Sequence, residues 1–260
     1  MNIILLAVII MVIAFFMTMT GRGGGNFYML ALVISGVSMK VGAPASQFIL
    51  MCSSLMAAIF FSKHKMNHWK LIIVLGVLIF ISAMAGGYFG GLFNEKILKI
   101  VFAIIMFIAA IFILKKPKLR PRKEKAWIID LTSNGETYQV NLIITIPIVL
   151  ATGFLSGMVG VSGGSFLVPL MLLTMNIPMQ IAVGTSTTLV SLSAAAGFIG
   201  HLGAGAVDWS LALPLAIGGI IGGFAGAKVA LKSKPKNLKY LFAGTQFVAS
   251  ILMIINVLTH

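Results

Sequence analysis

The 260-residue sequence contains few charged residues, and very few of them are acidic. Charged residues make up 9% of the chain, with five Asp or Glu against 19 Lys or Arg. No Asp or Glu lies inside a long apolar run. An acidic proton relay or a carboxylate-rich sodium site within a membrane segment therefore has no residue to form it. Binding of a cation there is disfavoured for the same reason.

Cysteine and histidine are scarce as well. The single Cys52 excludes an internal disulfide and a cysteine-based metal site, and the four histidines are scattered along the chain. We therefore predict no metal site and no cofactor.

Apolar residues dominate the sequence. They account for 59% of the chain, the mean hydropathy is +1.08, and most apolar runs approach the roughly 20 residues needed to cross a bilayer. This composition predicts an all-α integral membrane protein. Residues 1–20 lack the positive start and the small-residue cleavage site of a secretory signal, so we interpret them as a retained first span.

The apolar runs form two sets of five, with one hydrophilic stretch between them. The predicted segments of the first set are 1–20, 26–38, 43–61, 71–89 and 97–114. Those of the second set are 140–158, 165–176, 181–200, 210–227 and 238–258. The second segment of each set is short and follows a glycine-rich break. The predicted division is an N-terminal transmembrane repeat (1–114), a basic linker (115–139) and a C-terminal transmembrane repeat (140–260). Within the linker, Asn134-Gly135 suggests a small hairpin or an interfacial patch.

Self-comparison supports an internal duplication. Gly24 matches Gly163 at an offset of 139 residues, and Trp69 matches Trp209 at an offset of 140. Several further pairs share these offsets, and the order of short and long segments is the same in both sets.

Basic residues indicate the orientation of the two repeats. The formal charge of +14 is concentrated beside apolar runs, in residues 63–70, 115–125 and 228–239, which is typical of cytoplasmic loops. This pattern predicts contact with the lipid bilayer and no nucleic-acid binding. If all ten segments cross, the repeats are inverted, the basic segments share the cytoplasmic side and both termini lie outside. Re-entrant short segments would instead leave the five lysines of 228–239 outside, which the positive-inside rule disfavours.

Two glycine-rich stretches mark the predicted binding site, at residues 21–28 and 160–169. Irregular backbone within a membrane persists only inside protein or beside a wet cavity. Each stretch also begins a short helix, whose N-terminal N–H groups and positive dipole favour an anion. Inverted repeats with short, glycine-interrupted segments at matching positions are typical of transporters with a site near the bilayer midplane.

We predict that the anion contacts both stretches and the polar groups close to them. The predicted substrate-binding residues are Gly23, Gly24, Gly25, Asn26, Ser162, Gly163, Gly164, Ser165, Thr185, Ser186, Thr187, Arg22, Ser46 and Gln47. Two alternatives remain open at this stage. The hydroxyls of residues 185–188 can instead bond to their own helix, and Arg22 can be a snorkelling cytoplasmic residue.

His201 and Asp208 are predicted to gate the outer mouth or to exchange protons, which would couple transport to a proton or counter-ion. The alternative for His201 is a structural role at the end of its helix.

The second half resembles the TauE/SafE sulfite exporter family, also called TSUP. The residues that carry the resemblance are the run Gly153–Pro169 with its Gly-Val-Ser-Gly-Gly-Ser core, then Ala182–Ser186, Gly200-His201 and Val207-Asp208-Trp209. The resemblance extends along the whole chain, although the first half has Leu30 where the family's proline stands. It implies multi-pass transport of sulfur-containing anions, such as sulfite, thiosulfate, sulfoacetate or other sulfonates, across the inner membrane of a bacterium or archaeon.

Two other functions compete with an exporter or importer. An anion channel would use the same site without alternating access. An intramembrane serine protease of the rhomboid type would use Gly160-Val-Ser-Gly163, with Ser162 as nucleophile and His201 as base. The sequence favours a transporter and not an enzyme, and it assigns no oligomeric state.

Overall fold

A computed structural model describes residues 3–89, 127–133, 136–202 and 207–259. These residues form nine helices and one β-hairpin. The elements are α1 (Ile3–Met19), α2 (Gly25–Ile34), α3 (Met39–Lys63), α4 (Trp69–Phe89), β1 (Ile128–Ser133), β2 (Glu136–Asn141), α5 (Leu142–Val159), α6 (Gly164–Thr174), α7 (Met179–Leu202), α8 (Trp209–Lys232) and α9 (Pro235–Thr259). The predicted segment 97–114 and linker residues 115–126 lie outside the described residues.

Every predicted apolar segment that falls within the described residues is a helix. The two short ones, α2 and α6, have 10 and 11 residues. The start of α5 differs from the prediction, because residues 140–141 belong to β2. Asn141 ends that strand and caps α5, since its side-chain oxygen accepts the N–H of Ile143 at 3.1 Å. The fold is therefore helical, with a small antiparallel hairpin in the linker region.

Five of the described helices, α3, α4, α5, α7 and α8, are long and apolar enough to cross a membrane. Helices α1, α2 and α6 are also apolar but are shorter. Large apolar side chains cover the outside of the bundle, including Ile4, Ile73 and Ile217, which are at least 61% exposed. An apolar outer surface of this extent is stable in lipid and would aggregate in water. The chain is thus a helical, multi-pass membrane protein.

Glycine contacts show how the closely packed helices are oriented relative to one another. Gly218 packs against the carbonyl group of Ala7, and two turns further on Gly226 packs against that of Phe15. Helices α1 and α8 therefore run parallel, at a separation that a side chain would prevent. In the same way Gly153 lies against Ile79.

Helices α4 and α5 are also parallel, because one turn after that contact Gly157 meets Ala83. Helix α3 runs parallel to α8, since Gly219 and then Gly223 pack against Ile49 and then Ser53. Each of these pairs joins a helix from one half of the sequence to a helix from the other. The two halves consequently share one core and do not form separate domains.

The long helices α3 and α7 cross the centre of the bundle in opposite directions. The rings of Phe48 and Phe198 are 5.2 Å apart near one end of the pair. At the other end, Asn67, just beyond α3, donates to the hydroxyl of Thr188 at 3.0 Å. Among the described residues, these two helices carry nearly half of the buried polar side chains.

The hairpin and two basic loops lie at the same end of the bundle. The ring Nε2 of His68, between α3 and α4, is 3.4 Å from the carbonyl of Leu131 in β1. The backbone N–H of His68 donates to Thr185, in the first turns of α7. Beside that end of α7, Gln180 donates to the carbonyl of Ser233, between α8 and α9.

We expect His68 to make the protein less stable in acid. Its Nδ1 accepts the N–H of Leu71 at 3.2 Å, which requires a neutral ring, and burial lowers the pKa of His68. An unfolded histidine has a pKa of about 6.5. Below that pH the unfolded state binds more protons than the folded state, so stability falls until the folded pKa is passed.

The test compares thermal unfolding in detergent at about pH 8 and about pH 5.5. The control His68→Asn keeps an acceptor at this helix start and removes the titration. The natural protein should lose more stability on acidification than the variant does. Equal losses would contradict this role of His68.

Candidate functional site

The chain reverses direction at two glycine turns, residues 21–25 and residues 160–164. The first joins α1 to α2, and the second joins α5 to α6. Gly21 and Gly160 occupy equivalent places and have φ values of 75° and 74°, a left-handed backbone that residues with a Cβ rarely adopt. All the residues of both turns are buried.

The two turns lie directly against each other. A Cβ on Gly25 would be 2.8 Å from the backbone nitrogen of Ser162, and one on Gly164 would be 2.6 Å from the carbonyl oxygen of Gly21. Hydrogen bonds join them as well. The Ser162 N–H donates to the side chain of Asn26 at 3.0 Å, and the Ser162 hydroxyl donates to the carbonyl of Arg22. The structure therefore brings both predicted glycine stretches into one buried unit.

Serines on the central helices hold the turns in matching ways. Ser186 of α7 donates to the carbonyl of Gly21 at 2.8 Å, and Ser46 of α3 donates to that of Gly160 at 2.9 Å. These four residues repeat the 140- and 139-residue offsets found in the sequence. The serine hydroxyls thus donate hydrogen bonds to turn carbonyl groups that have no hydrogen-bond partner within a helix.

The turns lie halfway along the long helices. A Cβ on Gly23 would meet Leu50 at 2.6 Å and Val190 at 2.7 Å. Leu50 is near the middle of α3, and Val190 is near the middle of α7. Since α3 and α7 are long enough to span a bilayer, this position corresponds to the bilayer interior.

Several backbone N–H groups of the turns have no acceptor among the described residues. They belong to Gly23, Gly24, Gly163 and Ser165, at the starts of α2 and α6. Buried N–H groups are rarely left without an acceptor. Together with the positive ends of two helix dipoles, these donors fit an occupant that carries oxygen acceptors and negative charge.

Arg22 places a positive charge between the start of α6 and helix α9. The residue is 1% exposed, its Nε donates to the hydroxyl of Ser165 at 3.0 Å, and an Nη donates to that of Thr245 at 3.0 Å. Its guanidinium carbon lies 5.4 Å from the centre of the Phe242 ring. Burial rules out the snorkelling alternative. Among the described residues no carboxylate pairs with Arg22, so its charge lacks a protein counter-ion.

Thr245 and Phe242 were not predicted as site residues. Both belong to α9, and they approach Arg22 only because α9 packs against this side of the bundle. A polar interruption of the apolar run, Gly244-Thr245-Gln246, is the sequence signal that could have indicated Thr245.

The hydroxyl run of α7 lies in the core, and each hydroxyl has a protein partner. Thr187 bonds to the carbonyl of Val183 at 2.8 Å and Thr188 to that of Gly184 at 3.2 Å, as the back-bonding alternative required. Thr185 accepts the N–H of His68 at 2.9 Å. Direct contact of Thr185, Ser186 and Thr187 with a substrate stays a prediction.

Gln47 of α3 is buried beside the second turn. Its side-chain nitrogen donates to the carbonyl of Ser156 at 2.6 Å, while its oxygen Oε1 is buried with no partner among the described residues. An acceptor in this situation is costly unless water or a ligand donates to it. Gln47 is therefore a predicted site residue whose side chain retains unused bonding capacity among the described residues.

His201 and Asp208 do not meet among the described residues. His201 donates from Nε2 to the carbonyl of Gly157 at 2.9 Å, close to the end of α5. Asp208 is exposed and caps α8, with its oxygen 2.6 Å from the hydroxyl of Ser210. That hydrogen bond, together with the one from the N–H of Leu211, holds the pKa of Asp208 below its usual value. Both positions suit helix-end contacts, and the gating role stays a prediction.

A comparison with known sequences identifies the family. The chain matches the family described as Sulfite exporter TauE/SafE over residues 6–253. The chain belongs to the TauE/SafE sulfite exporter family. The resemblance read from the motifs is thereby confirmed.

Relatives of this TauE/SafE protein extend over nearly its full length. It is 29% identical over 255 residues to the probable membrane transporter protein YunE of Bacillus subtilis, covering 92% of each chain. It is 26% identical over 271 residues to the probable membrane transporter protein MJ0441 of Methanocaldococcus jannaschii, covering 96% of this chain and 95% of that one. No solved structure gives a significant match. Family and relatives together support a membrane transporter.

The geometry gives no support to the protease alternative. A serine nucleophile needs a base within hydrogen-bond reach. The hydroxyl of Ser162 donates to the carbonyl of Arg22, and His201 donates to that of Gly157. No bond joins the two side chains among the described residues.

We expect the two turn-holding serines to contribute equally to stability. Ser186→Ala and Ser46→Ala each leave a buried turn carbonyl without this donor, which should cost about 1–3 kcal/mol. Thermal unfolding in detergent measures the loss. Ser233→Ala is the matched control, because that serine bonds to its own helix at an exposed end. Losses no larger than in the control would show that the serines do not hold the turns.

Proposed function

We propose that this TauE/SafE protein transports small sulfur-containing anions, such as sulfite, thiosulfate, sulfoacetate or other sulfonates. The anion binds near the bilayer midplane, between the two glycine turns. One observation carries the proposal: Arg22 is buried beside two helix N-termini and has no carboxylate partner among the described residues. An uncompensated charge in the membrane interior is costly and marks a functional site by default.

The donors around Arg22 favour an oxyanion. Sulfite and sulfonates present oxygen acceptors around one sulfur atom. The guanidinium group can donate to such oxygens. So can the N–H groups of Gly23, Gly24 and Gly163, which have no acceptor among the described residues. Glycine at these positions lets the turns pack directly against each other and against Leu50 and Val190.

The packing of the helices supports inverted repeats. Matched contacts recur with the two halves exchanged: Gly86 lies against the carbonyl of Phe154, and Gly226 lies against that of Phe15. Equivalent helices of the two halves run in opposite directions, as in the pair α1 and α5. Inverted repeats around a central site are the architecture that allows alternating access.

The basic segments support the orientation. Loop 64–68, the hairpin of β1 and β2, and the α8–α9 connection share one end of the bundle. Since basic loops remain in the cytoplasm, this end faces the cytoplasm and both termini face outside. The protein then resides in the inner membrane, with its linker inside the cell.

Arg22→Gln should abolish anion uptake without weakening the fold. The change removes hydrogen bonds from a charged donor, worth about 1.5–3 kcal/mol, so uptake at low substrate concentration should fall at least about tenfold. Stability in detergent should stay constant or rise, because a buried unpaired charge is removed. The measurement is uptake of labelled sulfite and methanesulfonate into proteoliposomes.

Lys236→Gln is the control, because it removes a positive charge at the exposed start of α9. Uptake that saturates with concentration distinguishes a transporter from an anion channel. Transport of a cation or a neutral solute, with none of these anions bound, would refute the proposal.

The orientation has its own test. A cysteine introduced as Lys234→Cys, in a chain whose native thiol is removed by Cys52→Ser, should react with an impermeant maleimide only from the cytoplasmic side. Reaction from the outside in intact cells would contradict the proposed topology.

A further inference from the structure

We infer that the site selects singly charged anions, namely hydrogen sulfite and organic monosulfonates, over anions with two charges. This inference rests on the proposed function and narrows it. It follows from a count of the charges around the two glycine turns.

Arg22 carries the only charge in the hydrogen-bond network of the turns, as far as the described residues extend. The side chains that face its guanidinium group are Ser165 from α6 and Phe242 and Thr245 from α9. None of these titrates in the physiological range. From α2, Asn26 bonds to the second turn and is neutral as well.

Tyr28 is a titratable group in contact with the first turn. Its ring carbon Cζ would lie 2.9 Å from a Cβ on Gly24, and its hydroxyl donates to Ser53 at 3.3 Å. The tyrosine is fully buried and keeps its proton through the neutral range. The protein therefore offers the same single positive charge at every pH at which the substrate changes its own charge.

The charge balance then depends on the substrate alone. With a monoanion bound, the site has no net charge. With a dianion bound, one negative charge remains in a low-dielectric interior, where an unpaired charge is strongly disfavoured. The free N–H groups offset part of that cost through partial charges, but they serve a monoanion equally well.

The arrangement of donors suits a head group with three oxygens. Donors come from the start of α2, from the start of α6 and from Arg22, which contacts the start of α6 and helix α9. Hydrogen sulfite and a sulfonate each expose three oxygens around sulfur. The sulfonate group keeps one negative charge at all accessible pH values, whereas sulfite gains a second as its remaining proton leaves near neutral pH.

The experiment measures uptake into proteoliposomes containing the full chain, with equal pH on both sides and the membrane potential clamped at zero. The probes are labelled sulfite, methanesulfonate and thiosulfate, which is a dianion throughout. Above the pKa of hydrogen sulfite, the half-saturating concentration of total sulfite should rise about tenfold per pH unit, because only the protonated fraction binds. The half-saturating concentration of methanesulfonate should stay constant with pH. That of thiosulfate should be at least about tenfold higher than that of methanesulfonate.

Two results would overturn the inference while leaving the proposed function intact. One is a half-saturating sulfite concentration that does not change with pH. The other is a half-saturating concentration for thiosulfate uptake that is equal to or below that for methanesulfonate. If none of the three anions is taken up, the proposed function itself fails and the inference fails with it.

Arg22→Lys provides a second measurement. It keeps the single charge but loses the planar donor fork, so affinity should fall while the preference for methanesulfonate over thiosulfate persists. A variant that retains uptake but loses this preference would show that the geometry of the guanidinium group, and not its charge, selects the substrate.

Discussion

The contact between the two glycine turns is the constraint on which the site depends. Gly25 lies against Ser162, and Gly164 lies against Gly21, at distances that no larger residue permits. Because the turns meet, the N-termini of α2 and α6 open into the same buried region. A helix end in lipid must be satisfied by protein, water or a ligand. The contact thus places two helix N-termini beside each other in the interior of the bundle, where the proposed anion would bind.

Arg22 gives that buried region a positive charge. Two hydroxyls and one aromatic ring hold the guanidinium group in place, and none of them neutralises it. A protein that only had to be stable would do better with an apolar residue there. In the proposed function, the energetic cost of the buried charge is recovered when an anion binds. Stability and affinity are therefore opposed at this residue, as is common at functional sites.

Much of the fold could be predicted from the sequence, because the bilayer restricts the choices. A span must be helical and about 20 residues long, so apolar runs translate directly into helices. The glycine stretches and the short α2 and α6 were predicted, and the hairpin of β1 and β2 was one of two alternatives for its stretch. The roles of the α7 hydroxyls were less predictable. Threonines in a helix bond to their own backbone as readily as to a ligand, and only the structure shows that Thr187 and Thr188 do so.

The sequence by itself determined the class of protein, and it indicated the apolar segments, the duplication and the two glycine stretches of the proposed site. These properties depend on composition and on local spacing, which a linear pattern records. Only the tertiary structure decided that the two turns touch, that Arg22 is buried and that Thr245 and Phe242 reach it from α9. These contacts join residues more than 130 positions apart. They depend on which helices pack against each other, and the helix surfaces are nearly uniformly apolar. In this chain, contacts between glycines and the backbone of a neighbouring helix determine which helices pack together. The sequence alone does not show which helix each glycine contacts.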